Sequence, residues 1–356
     1  MVVTVGNGTT LSGNATAGAL YEYNATTANQ AAPIQTIALP TTVSGGNYAL
    51  TFSGSASSEG FLTLSTDGRD LTLAGYYAAV GTATPQSSAA SVINRVVGRV
   101  DMNGNIDTTT ALSDAYNGSN IRAAVSTDGT SLWTTGNGGS GQGSSAGNRY
   151  TTLGSTTSIQ LNSSTSNNRV NNIANGQLYT SAGSGTIAGV ATVGTGVPTT
   201  TGQTLTILPG MPTTTTGHSS YDFWFRNANT LYVADDGAAT AGGGIQRWDF
   251  NSGSGTWALT YTLLNNGTTT TGCRGLAGFI DASGNVELFA TTSISTTANT
   301  LIEVTDTGVW TGTDIVLATA PTGDAFRGVE LIPEPSGLAL AGLGLLVLAA
   351  YRRLRR

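Results

Sequence analysis

The chain has 356 residues, of which 49 are Gly, 39% are hydrophobic and only 10% are charged. It is poor in helix formers and rich in residues of turns and strands, which points to an all-β body, and its short apolar clusters exclude a wholly disordered Ser/Thr-rich stalk. Lys is absent, all 20 Asp and Glu and ten of the 14 Arg precede residue 336, and the other four Arg fall in the last five residues; so acidic a body repels phosphate, and nucleic acid is excluded as an expected partner.

Met1 opens a short run, Val2-Val-Thr-Val-Gly-Asn-Gly. It resembles a second hairpin strand with no first strand before it, and it lacks the basic n-region and long apolar h-region of a signal peptide. The far end of the chain demands export, so the start is expected to be truncated or misassigned. Residues 61–76 and 121–136 align with one another around Ser-Thr-Asp67-Gly68 and Ser-Thr-Asp128-Gly129. Each is two alternating apolar runs around a Gly-containing tight turn, the pattern of a β-hairpin. Weaker copies follow at 170–179, 221–235 and 276–290, so that second strands begin near 71, 132, 178, 231 and 286, at spacings of about 46 to 61. Two further strand-like pairs stand between hairpins, at 94–100 with 106–112 and at 244–250 with 257–263. Four strands per unit at this period predict a β-propeller; a β-solenoid, the competing fold, has shorter repeats.

Phe326-Arg-Gly-Val-Glu-Leu-Ile332 matches Cys273-Arg-Gly-Leu276 as the first strand of a hairpin, but no partner strand follows it. Pairing it with Val2-Val-Thr-Val would cover both open edges and close a ring of six blades, or seven if a longer N-terminus adds strands. The chain then reads Ile332-Pro-Glu-Pro-Ser, an apolar run over 337–351, and Arg352-Arg353-Leu-Arg355-Arg356. Fifteen residues of helix span roughly 22 Å, short of a ~30 Å hydrocarbon core, so a C-terminal helix here is a marginal anchor. The terminal Arg cluster keeps its own end cytoplasmic and places the body across the membrane. Two prolines hold Glu334 in an extended segment that fits a processing cleft.

Pro333-Glu334-Pro335, the apolar run and the Arg cluster together resemble the PEP-CTERM sorting signal of Gram-negative bacteria. The resemblance implies recognition by an integral-membrane exosortase, transient anchoring in the inner membrane through 337–351, removal of the anchor, and release of the body to the cell surface or extracellular matrix. The body is similar to a group of Ser/Thr/Gly-rich propeller-like proteins with the same tail, through its Ser-Thr-Asp-Gly hairpins, Leu231-Tyr-Val-Ala-Asp-Asp-Gly and Arg-Gly-[Leu/Val]. That likeness implies fold and location and no activity.

Candidate chemistry is sparse. Asp101, Asn103, Asn105 and Asp107, and likewise Asp281, Asn285 and Glu287, alternate oxygen side chains as a Ca²⁺ loop does, but they lack its downstream Glu and read as hairpin turns. Asp235-Asp236 before Gly237 reads as a solvated turn, and Gly136-Asn-Gly-Gly-Ser-Gly-Gln-Gly143 as a flexible blade-to-blade loop. One Cys, Cys273, excludes a disulfide framework and reads as a small core residue. One His, His218, lies in a loop entering a strand, and no Gly-x-Ser-x-Gly opens a helix. No cofactor or metal is expected. The expectation is an exported propeller over 1–332 with a sorting segment over 333–356. Its role would be non-catalytic, with extracellular polysaccharide or other surface proteins as partners. The alternative is a secreted propeller lyase or glycoside hydrolase with carboxylates in its central channel.

Overall fold

Alternating apolar runs bury one face against a neighbouring layer, and in this chain they do so six times around a ring. The computed structural model describes residues 1–162, 167–183, 187–238, 241–263, 272–293, 298–309 and 314–332. Pro333, Glu334, Pro335, the apolar run 337–351 with its expected helix, and Arg352, Arg353, Arg355 and Arg356 lie outside the described residues. Within them stand six four-stranded antiparallel sheets.

Blade 1 is Asp324–Val329, Val2–Gly6, Gly18–Glu22 and Gln35–Ala38, from the axis outward. Blade 2 is Thr63–Leu64, Asp70–Tyr76, Arg95–Asp101 and Ile106–Leu112. Blade 3 is Ile121–Ser126, Ser131–Gly136, Gly147–Thr152 and Ile159–Gln160. Blade 4 is Asn168–Ala174, Gln177–Ala182, Val190–Val193 and Leu205–Ile207. Blade 5 is Ser220–Asn227, Thr230–Asp235, Gly244–Asn251 and Thr256–Leu263. Blade 6 is Cys273–Ile280, Val286–Thr292, Thr300–Asp306 and Ile315–Thr319.

The ring closes as the sequence suggests: Val2 faces Val329, Thr4 faces Phe326 and Gly6 faces Asp324. Both chain ends thereby lose an open edge. The aligned turns are built by their own side chains. The Asp128 carboxylate accepts from the amides of Thr130 and Ser131, and Gly129 takes φ +76°, which a Cβ would disfavour.

The core lies between blades. Val3, Leu20, Leu71 and Val96 join blades 1 and 2; Tyr76, Ile121 and Leu132 join 2 and 3; Trp133, Ile173 and Leu178 join 3 and 4. Val190, Phe223 and Trp248 join 4 and 5, Tyr232, Cys273 and Val286 join 5 and 6, and Phe289, Phe326 and Val2 join 6 and 1. Cys273 is thus a core residue, its thiol pushed up to about 12 mainly by burial. Threonine stitches neighbouring blades: Thr135 Oγ1 donates to the Arg169 carbonyl at 2.8 Å and Thr291 Oγ1 to the Arg327 carbonyl at 2.6 Å.

One segment has no counterpart in the repeat. Between blades 1 and 2, Phe52–Ser53 pairs with Ala15–Thr16, and Leu50, Phe52 and Glu59 become buried. The stretch 136–143 does not connect blades, contrary to expectation. It joins the second and third strands of blade 3 and folds back on Asn117, whose side chain donates to Gln142. Pro85–Ser87 and Gly143–Ser145 form short helical turns.

Candidate functional site

Aligning the innermost strands puts Phe61, Arg122, Arg169, Tyr221, Arg274 and Arg327 at equivalent positions of blades 2, 3, 4, 5, 6 and 1. In five of these strands the ladder slips at that residue. The breaks fall between Ile121 and Ala123, Asn168 and Asn171, Ser220 and Phe223, and Cys273 and Leu276, and in blade 1 between the Thr4–Phe326 and Val2–Val329 pairs. Such a bulge takes one residue out of the pairing and re-aims its side chain. Repeated around the ring, it gathers four guanidiniums at one mouth of the channel.

The space there is tight, which accounts for the Arg-Gly pairs. A Cβ on Gly328 would stand 2.2 Å from the Leu62 nitrogen, and one on Gly275 would stand 2.6 Å from the Arg327 carbonyl oxygen. Below the arginines Phe61, Tyr221, Ala123 and Val170 form a buried apolar cluster that plugs the axis, with the Phe61 and Tyr221 rings 5.8 Å apart. Tyr221 also lies beneath two cations, 3.9 Å from the Arg169 guanidinium and 5.1 Å from that of Arg274. Contacts of this kind stabilise cations that have lost their water.

The positive charge is only partly compensated. Arg274 pairs with Asp236 at 2.7 Å. Arg122, Arg169 and Arg327 are 6%, 8% and 4% exposed and, among the described residues, make no ion pair. They donate instead to neutral acceptors: Arg122 to Asn167 and the Asn168 carbonyl, Arg169 to Ser219 Oγ and the Ser220 carbonyl, Arg327 to the Gly54 carbonyl. The Nε atoms of all three are buried without an acceptor among the described residues. Burial lowers Arg122 and Arg327 to about 10, and the neighbouring Arg169 and Arg274 repel them in the same direction, yet both remain charged at neutral pH.

The carboxyl groups around the mouth are already engaged. Glu59, fully buried, accepts from the Ser53 amide, from Tyr76 OH at 2.6 Å and from Asn120 Nδ2 at 3.0 Å. Desolvation raises it to about 6 despite those bonds and the nearby Arg327. Asp222, in the next layer of the axis, accepts from the amides of Phe223 and Leu276, and its burial holds it well above the usual carboxylate range. Asp235 and Asp236 do not form a solvated turn. Asp235 is buried and accepts from the Ser219 and Gly237 amides and Gln246 Nε2, and Asp236 is held by Arg274, because the bulged strand of blade 6 passes directly beside them. His218 stands next to Asp235, its Nδ1 buried without a partner among the described residues.

The weak Ca²⁺ candidates lie elsewhere, at the outer part of blade 2. Asp101 accepts from the Asn103 and Asn105 amides and Asn105 Nδ2, and Asp107 accepts from Thr109 and faces Arg99 at 3.8 Å. Their oxygens close a turn and an ion pair and do not converge. Asp281 is spent in the same way on Ser283 and Asn285. No group of three potential metal ligands occurs among the described residues. Motif reasoning missed the arginine ring because its members are scattered over 206 positions (122 to 327). The signal was present in the repeat itself, as an Arg or aromatic residue at the same step of each inner strand.

The PEP-CTERM protein-sorting motif matches residues 331–356, and it implies export and exosortase processing. No curated protein sequence is significantly similar to the chain. Among solved structures it is similar to a candidate 6-phosphogluconolactonase from Bacteroides uniformis ATCC 8492, at 13% identity and a TM-score of 0.43, over 91% of this chain and 99% of that one. It is also similar to the dihydro-heme d1 dehydrogenase NirN in complex with DHE, at 12% identity and a TM-score of 0.42, over 88% of this chain and about half (53%) of that one.

Proposed function

We propose that this protein is an exported, exosortase-sorted surface or matrix component whose propeller has a non-catalytic binding role, with an anionic group as its ligand at the arginine mouth. One observation carries the reading: three guanidiniums more than nine-tenths buried, each with an orphaned Nε and no ion-pair partner among the described residues. Isolated buried charge is costly, and a bound carboxylate or sulfate would offset that cost with charge-assisted hydrogen bonds. The alternative of a polysaccharide-acting enzyme needs a carboxyl free to exchange a proton with substrate. Glu59, Asp222, Asp235 and Asp236 are all held by internal donors, which favours binding. The chain leaves the ring at the opposite mouth, where Ile332 lies. Before processing, that arrangement would turn the arginine mouth away from the anchor, toward extracellular polymer.

The test uses two probes, inorganic sulfate and a uronic-acid trisaccharide. Saturable binding of either, lost in both Arg169→Gln and Arg327→Gln folded variants, supports the reading. A tighter uronate identifies a polymer carboxylate as ligand, and sulfate alone a small or sulfated anion. No binding of either probe at millimolar concentration, or binding unchanged in both variants, overturns it.

A further inference from the structure

The mouth opposite the arginines holds a cavity of about 810 Å³, separated from them by the Phe61–Tyr221 plug. Blades 1, 2, 4, 5 and 6 all contribute to its wall. Its lining combines two kinds of surface. Tyr23, Trp224, Phe225 and Phe279 supply aromatic faces, and Phe279 and Ile34 at the rim are 41% and 65% exposed. Asn24, Asn172, Asn175 and Asn227 supply carboxamides. The Oδ1 atoms of Asn24, Asn172 and Asn227 are spent on local backbone amides, which fixes their side chains. Their Nδ2 groups make no hydrogen bond among the described residues and are left as outward donors. Gly278 has no side chain here because a Cβ would meet the Trp224 indole at 2.8 Å, so strand and ring lie flat together.

We infer that this cavity binds a neutral saccharide chain, at a site independent of the anion site. A pyranose ring has one face of C–H bonds, which packs on the negative face of an aromatic ring, and an edge of hydroxyls that accept from amide N–H and donate to carboxylate. The Glu22 carboxylate, with no hydrogen bond among the described residues, supplies the acceptor. Glu330, by contrast, has both oxygens occupied by the Leu64 and Leu331 amides, and burial raises it to about 7. Charge does not select an anion here: Arg226 stands with Glu22 and a half-neutral Glu330, and burial lowers the Met1 ammonium to about 6. A purely apolar occupant would leave the carboxamides and Glu22 buried without partners, at a cost that a hydroxylated ligand avoids.

The experiment is calorimetric titration of the propeller with neutral hexasaccharides built from glucose, mannose, galactose and N-acetylglucosamine. At least one is expected to bind. Phe279→Ala and Glu22→Gln should each weaken it about tenfold, with melting temperatures near that of the parent because both side chains reach solvent. Absence of binding by the whole panel at millimolar concentration overturns the inference. So does binding that neither substitution weakens. So does a concentration-dependent dimer abolished by Phe279→Ala, which would make a second copy the occupant. Loss of sulfate and uronate binding at the other mouth bears only on the anion site, so the two readings fail separately.

Discussion

Glu59 is the residue whose titration reports most directly on the channel. Its carboxyl sits at about 6 in the folded protein because burial disfavours the charged form, against 4.5 when exposed. The folded state therefore holds the proton more tightly. The contribution to stability is fully present below pH 4.5 and is lost as pH rises through 6, by on the order of 2 kcal/mol. Denaturant titrations of the parent and Glu59→Gln between pH 4 and 7 should differ by this slope, and parallel curves would show that the carboxyl is not desolvated. The same protonation adds one net positive charge to the mouth. Sulfate, ionised throughout, should bind several-fold more tightly at pH 5 than at pH 7 in the parent and show no such gain in Glu59→Gln.

At the scale of the strand, the repeated bulge is the device that builds the site, and its neighbouring glycines are fixed by space rather than by turn geometry. Gly328 lies 2.2 Å, measured from an added Cβ, from the Leu62 nitrogen, whereas Gly68, at φ +74° in a hairpin turn, has nothing within 4 Å. Gly328→Ala is expected to cost about 3 kcal/mol or more through overpacking, and Gly68→Ala about 1 kcal/mol through backbone strain alone. Equal losses on urea unfolding would mean that the inner strands can move apart. The hairpins were legible beforehand because alternation and Asp-Gly turns are local signals. The direction of Arg122 or Arg274 was not, since a bulge reverses the face that period-two counting assigns.

For the whole molecule, ring closure joins the two ends of the chain in one sheet. Deleting residues 1–6 should expose the edges of Asp324–Val329 and Gly18–Glu22 and shift the protein toward aggregates relative to the parent on size-exclusion chromatography. A monomer of unchanged melting temperature would show that the closure is dispensable. In the native host, loss of exosortase should retain the intact chain in the inner membrane, as seen by fractionation and immunoblot. Processing that does not change would remove the sorting reading while leaving both ligand sites untouched.

The sequence by itself determined the all-β class, the four-stranded repeat and the PEP-CTERM tail, because strand alternation, turn chemistry and a contiguous sorting signal are each written in neighbouring residues; it suggested closure by the two terminal strands but left six or seven blades, and the structure decided on six. Only the tertiary structure decided where the chemistry lies. Asp235 and Asp236 became part of a charged mouth because blade 6 passes beside them, and Glu59 became a buried acid because an unrepeated segment carries it against Tyr76 and Asn120. Four arginines at one mouth, and an aromatic and amide-lined cavity at the other, are products of ring symmetry. Residues far apart in the chain meet there because each occupies the same step of its own blade.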